Sequence, residues 1–204
     1  MGFYSKYILP PVIHKVCGLK PTMIQRSKIV PEAYGNVLEI GIGSGLNFQY
    51  YDNSKVKHLT GIDPYPYHKG LKQSVNKSDI SFEFLQESAE KLSFPNDYFD
   101  CVVCTYTFCT IADVENSMAE VSRVLKPNGR LLFIEHGKSP DLKVFETQNR
   151  INPIWKKIAG GCNLNRDIPF LLSSSDFKIE SLSTMYIPGW KPATYNFWGS
   201  AMIR

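Results

Sequence analysis

Val37-Leu38-Glu39-Ile40-Gly41-Ile42-Gly43-Ser44-Gly45 is an apolar run that ends in an acid and empties into three alternating glycines. A strand that runs out into glycines marks a place where backbone must come close to a ligand. A second acid, Asp63, closes the apolar stretch Leu59 to Ile62 and is followed by Pro64. It lies roughly 20 residues downstream, where a nucleotide-binding α/β sheet places the carboxylate that grips a ribose.

The glycine spacing narrows the ligand. A dinucleotide fingerprint reads G-x-G-x-x-G and aims a helix N-terminus at a pyrophosphate. Here the run is Gly41-x-Gly43-x-Gly45, with Leu46 where that fingerprint needs glycine. No Gly-Lys-Ser/Thr follows, so the P-loop is excluded as well. A glycine loop led in by Glu39 suits a ligand whose near end is cationic or zwitterionic. S-adenosylmethionine, with an amino acid end, a sulfonium and an adenosine, has that character.

Strand and helix patterns alternate along the chain, which predicts a mostly parallel sheet with helices on both faces. Strands are expected at 36–40, 58–62, 81–85, 99–106 and 130–135, with helices at 45–51, 67–75 and about 142–159. Asp113 is placed to cap a helix whose stripe is Val114, Met118, Val121 and Leu125, and Pro127-Asn128-Gly129 should stop it. The tail, 178–187 and 195–203, reads as an antiparallel closing hairpin. The whole is an α/β, Rossmann-like, seven-stranded sheet in one domain spanning 1–204, with residues 1–30 as an N-terminal cap segment.

At 204 residues the chain is long enough for one well-packed core. Its net charge of +4 is spread out, with no basic block of the kind a nucleic-acid arm carries, so nucleic acid is not an expected partner. Five cysteines, an odd number, and no secretory signal point to reduced thiols and a cytoplasmic protein. Cys101-x-x-Cys104 lies in an apolar strand, where residues three apart face opposite ways, so no metal site is expected there. No other Cys/His pair stands at zinc spacing. Residues 1–19, with Tyr4, Lys6, Tyr7, Pro10, Pro11 and His14, are too short and proline-broken to span a bilayer. Two readings stay open for them: a membrane-surface contact, or a fold over the ligand.

On the glycine loop, Gly61-Ile-Asp-Pro64, Phe99-Asp-Cys-Val-Val-Cys104 and Arg123-Val-Leu-Lys-Pro-Asn-Gly129, the chain resembles the class I S-adenosylmethionine-dependent methyltransferases of the type 11 domain. Gly45-Leu-Asn-Phe-Gln-Tyr-Tyr51, Val103-Cys-Thr105, Ile134-Glu-His-Gly137 and the run Asn152 to Arg166 are similar to the branch that includes thiol S-methyltransferases. The resemblance implies S-adenosylmethionine as cofactor and S-adenosylhomocysteine as product. It implies cofactor-binding roles for Glu39, Gly41, Gly43, Gly45, Asn47, Asp63, Pro64, Ser88, Ala89, Glu90 and Thr105. Ser88 stands where the family carries an acid toward the adenine amine, which removes charge assistance from that contact.

Glu135-His136 ends the fifth strand at the same rim, so His136 is a candidate for orienting or deprotonating the nucleophile. Tyr106 and Phe108 read equally as substrate-stacking or core residues. Trp155, Cys162, Asn165 and Arg166 read either as closing the substrate side over the crevice or as packing the last helix against the sheet. The expected activity is methyl transfer to a small molecule, with a thiol as the first acceptor class. A phosphatidylethanolamine amine, a quinone carbon and a non-enzymatic cofactor-binding module are the alternatives, and monomer and dimer both stay open.

Overall fold

The computed structural model describes Tyr4 and residues 8–204; the readings placed on Lys6 and Tyr7 lie outside the described residues. Seven strands form one sheet: β1 (Gly35–Ile40), β2 (Val56–Ile62), β3 (Phe82–Leu85), β4 (Phe99–Thr105), β5 (Leu125–His136), β6 (Phe177–Tyr186) and β7 (Tyr195–Ile203). Their order is β3-β2-β1-β4-β5-β7-β6. The first five pair in parallel, and β7 runs antiparallel to both β5 and β6. The seven-stranded mixed sheet is the one expected from the sequence.

The helices are α1 (Leu9–Cys17), α2 (Lys20–Ile29), α3 (Lys69–Val75), α4 (Val114–Val124), α5 (Leu142–Ile158) and α6 (Ile168–Ser173). Strand alternation sorts the core into two layers. Leu38, Ile40, Cys104 and Phe133 face one layer with Met118 and Val121 of α4. Val37, Cys101, Val103 and Leu132 face the other with Ile29 of α2 and Leu71 of α3. Cys101 and Cys104 therefore sit in opposite layers and share no ligand. Asp113 caps α4 by accepting from the Asn116 amide at 3.1 Å.

Two local expectations are corrected. The helix at 45–51 is a single 3-10 turn, Phe48–Tyr50. Asn47 and Tyr51 turn their side chains inward onto Glu39, and a continuous helix would compete with that inward grip. The Pro-Asn-Gly turn does not separate α4 from its strand. Strand β5 starts at Leu125 opposite Phe99, bulges over 126–129 and resumes pairing at Arg130 opposite Cys101. Helices α1, α2 and α6 add to the helices that the periodicity indicated.

Strand order reverses direction between β1 and β4, and in such sheets the ligand crevice opens outside the carboxyl ends of those strands. The glycine loop leaves β1 there, and Thr105 to Thr107 leave β4 beside it.

Candidate functional site

A cavity of about 460 Å³ opens at this switch point. Its floor is the glycine loop, its sides are the ends of β2, β3 and β4, and α1 lies over it through Leu9, Ile13, His14 and Cys17. The glycines of the loop do different jobs. Gly41 has φ +68°, and a Cβ there would lie 2.4 Å from the Thr107 side chain. Gly43 has φ +52°, and a Cβ there would meet only the Gly41 carbonyl at 3.9 Å. Gly43 thus faces open cavity, a cradle that any side chain would fill. Gly45 instead packs on Leu71, Phe48 and Ser74 behind the wall.

Asp63 ends β2 with one carboxylate oxygen accepting from the Gly43 amide at 3.1 Å and the other from the Tyr65 amide at 2.9 Å. Burial pushes its pKa up, against these two hydrogen bonds. Glu39 is buried under the loop. Its oxygens accept from Asn47 Nδ2 at 3.0 Å and from the Tyr51 hydroxyl at 2.6 Å. Desolvation outweighs these bonds and the Arg26 charge, and raises its pKa from 4.5 to about 7. Ser88, Ala89 and Glu90 line the far end. Glu90 also fastens that turn to α4, accepting from the Asp113 amide at 2.9 Å.

Of the residues named from the sequence for cofactor binding, Glu39, Gly41, Gly43, Asp63, Pro64, Ser88, Ala89, Glu90 and Thr105 come together on the cavity walls. Gly45, Asn47 and His136 are not on those walls. Asn47 is fully buried one layer back and orients Glu39 and Thr105. His136 directs Nε2 at the Cys162 sulfur, 3.1 Å away. Phe108 is core, whereas Tyr106 lines the cavity with φ +55°, an uncommon conformation for a non-glycine residue. Trp155, Cys162, Asn165 and Arg166 are off the cavity walls, although Gly160 between them is on the walls, and their contacts are those of packing. Arg166 donates to the Phe108 and Ile111 carbonyls, Asn165 to Asn149, and Trp155 packs on Trp190 at 5.5 Å.

Sequence reasoning missed Arg26 and Glu87, and named His14 only within a segment left open between a membrane contact and a fold over the ligand. Arg26 reaches from α2 under the cavity, donating to Asn47 Oδ1 at 2.8 Å and Thr105 Oγ1 at 2.5 Å. Its Nε is buried and has no partner among the described residues. Glu87 lines the cavity one residue ahead of Ser88, which puts a carboxylate close to where the family pattern expects one. His14 meets Ser44 at 2.5 Å and stacks on His68 at 5.8 Å, tying α1 to the glycine loop. A basic residue in a region without strand or glycine signals gives no hint of such burial.

An open glycine cradle, a strand-end carboxylate and apolar side walls at a sheet switch point fit a nucleoside carrying a charged amino acid end. This is the site of a class I S-adenosylmethionine-dependent methyltransferase. A family model described as a methyltransferase domain matches residues 38–133. Thiol S-methyltransferase TMT1B of Rattus norvegicus is 32% identical over 172 residues, covering 81% of this chain and 70% of its own. Thiol S-methyltransferase TMT1A of Homo sapiens is 30% identical over 178 residues, covering 84% of this chain and 72% of its own. The N-methyltransferase NodS of Bradyrhizobium japonicum WM9, solved with S-adenosylhomocysteine, superposes with a TM-score of 0.69 at 14% identity, covering 97% of this chain and 93% of that one. The chain belongs to the S-adenosylmethionine-dependent methyltransferase family, and it methylates a small molecule.

Proposed function

We propose that the methyl acceptor is a small thiol. The observation that carries this is the likeness, at 30–32% identity, to relatives named thiol S-methyltransferases across most of this chain. The cavity supports it. Beyond the cofactor-facing groups its lining is largely apolar, with Leu9, Ile13, Ile111 and Ala112. An apolar chamber suits a soft nucleophile, and a thiolate is accessible near neutral pH with little help from a base.

When bound, S-adenosylmethionine supplies a methyl group already activated on a sulfonium. In our reading the chain binds, orients and excludes water. Asp63 accepts from the ribose hydroxyls, Gly43 gives backbone room, and Ser88, Ala89 and Glu87 hold the adenine end. Ionised Glu39 offsets the cationic end, and the free Nε of Arg26 is directed to the carboxylate. Residues 1–30 act as the cap. His136, turned to Cys162, is not required as a base for a thiol.

Among the described residues no helix is long and apolar enough to cross a membrane. The apolar residues Ile8, Val12, Val16, Leu19 and Ile24 are nonetheless exposed on α1, α2 and their flanks. They support a cytoplasmic protein that touches a lipid surface through its cap, which vesicle co-sedimentation tests. The acceptor is tested after titration with S-adenosylhomocysteine, with NAD as control. Methyl transfer is then assayed on small alkyl and aryl thiols, phosphatidylethanolamine and a quinol. Thioether product with thiols alone is expected. Product only from the lipid or the quinol overturns the thiol assignment.

A further inference from the structure

Behind the cavity wall three soft ligands converge from distant parts of the chain: Cys109 after β4, His136 at the end of β5, and Cys162 after α5. Their ligand atoms all lie within 4.8 Å of one another. All three cysteine and histidine side chains are outside the cofactor cavity lining. We propose that Cys109, His136 and Cys162 form a zinc(II) site with three protein ligands and an open fourth position.

Tetrahedral zinc takes thiolate at about 2.3 Å and imidazole nitrogen at about 2.0–2.1 Å, which sets neighbouring ligand atoms roughly 3.5–3.8 Å apart. The cluster is already near that size, with His136 Nε2 3.1 Å from the Cys162 sulfur. One further group at the site suits a thiolate ligand. Trp155 lies beside Cys162, and its buried Nε1–H, which meets no other acceptor among the described residues, is a donor only and so serves the sulfur rather than the metal. The backbone around the ligands is pinned, as a metal site needs. The Asn163 amide and side chain both donate to the Cys109 carbonyl, at 2.8 and 2.9 Å. Gln148 Nε2 donates to the Gly137 and Leu164 carbonyls, each at 2.9 Å. Spacing along the sequence carries no metal signature because each ligand comes from a different connection at the sheet rim. Three protein ligands and a vacant fourth position are the pattern of a zinc site that receives an exogenous donor.

The test uses the full chain kept reduced. After zinc loading and gel filtration, elemental analysis should find one zinc per chain. Cobalt(II) replacement should give thiolate-to-cobalt charge-transfer bands with tetrahedral d–d intensity. Cys109→Ser and Cys162→Ser should each lose the zinc, whereas Cys17→Ser, on the cavity side, should keep it. Binding of S-adenosylhomocysteine by each variant checks that it is folded. No zinc and no cobalt spectrum in the reduced wild-type chain overturns the site, as does equal zinc retention by the Cys109→Ser/Cys162→Ser double variant. Loss of zinc from Cys17→Ser overturns the open fourth position. None of these readings depends on which acceptor the enzyme methylates.

Discussion

Arg26 and Thr105, 79 residues apart, are joined by a 2.5 Å hydrogen bond from Nη1 to Oγ1 beneath the switch-point cavity. The same nitrogen holds Asn47, which in turn holds Glu39, so one guanidinium sets the floor of the site from α2. A buried cation that bonds two neutral groups is costly unless a negative charge compensates it. Glu39 supplies part of that compensation, and the carboxylate of the cofactor would supply more. Arg26→Met keeps the aliphatic stem and removes the charge. Affinity for S-adenosylhomocysteine should fall at least about tenfold, or roughly 1.4 kcal/mol, by calorimetric titration. Unchanged affinity would remove Arg26 from the binding site.

Glu39 makes binding depend on pH. Its pKa in the fold, about 7, lies above the ordinary 4.5 because burial disfavours the charge. The sign follows from linkage. The protonated carboxyl is the form the fold prefers, so this contribution to stability is complete below about pH 4.5 and is lost as pH rises through about 7. In the ligand-free protein the full loss is on the order of 3 kcal/mol. The ammonium group of S-adenosylhomocysteine prefers the ionised form beside it, so affinity should move the other way. Between pH 6 and 8 the affinity for S-adenosylhomocysteine should rise about tenfold, and Glu39→Gln should flatten that slope. An equal slope in the variant would assign it to another group.

Much of this floor was legible in the sequence, and the reasons are local. An apolar run can place Glu39 at the end of a strand, and alternating glycines can place a loop at a ligand, because neighbours in sequence carry both signals. Asp63 was found the same way. Arg26 is not legible, and His14 only as part of a segment with two open readings, because nothing adjacent to them records what they meet across the chain. The 45–51 helix failed for a related reason: the inward grip of Asn47 and Tyr51 on Glu39 overrode local propensity. His136 was rightly placed at a strand end, but only the fold shows that it turns to Cys162 rather than into the cavity.

Gly43 separates binding from folding. Its φ of +52° makes alanine unfavourable by about 1–2 kcal/mol, yet no neighbouring atom crowds a Cβ there. Gly43→Ala should therefore fold, with a modest drop in melting temperature, while its methyl group occupies the cradle. Titration with S-adenosylhomocysteine should show binding weakened by at least about 100-fold, or roughly 2.7 kcal/mol. Retained binding would move the cofactor away from this loop.

Asp63 is held by two backbone amides and still lines the cavity. Asp63→Asn keeps the shape but replaces one acceptor oxygen with a donor. It should lose charge-assisted bonds to the ribose hydroxyls, worth about 1.5–3 kcal/mol. The expected result is a 10- to 100-fold weaker Kd for S-adenosylhomocysteine, with a smaller change for 2′,3′-dideoxy analogues that have no hydroxyls to lose. An equal loss for both ligands would mean that Asp63 shapes the loop and does not touch the ribose.

Glu135 carries the loop on the other side of the cavity. Its Oε1 accepts from the Thr107 amide at 2.6 Å and the Phe108 amide at 2.8 Å, and its Oε2 from the Cys109 amide at 3.2 Å. Three successive backbone donors thus converge on one fully buried carboxylate, and they hold the turn that follows the strained Tyr106. Glutamine has the same shape but one acceptor oxygen, so its amide group must face at least one of these N–H donors. A buried donor left unsatisfied costs about 1–3 kcal/mol. Glu135→Gln should lower the unfolding free energy by that amount in urea titration. Hydrogen exchange should speed up selectively at the amides of 107–109. Faster exchange throughout the chain, with no excess at these three amides, would show that Glu135 supports the core as a whole rather than this loop.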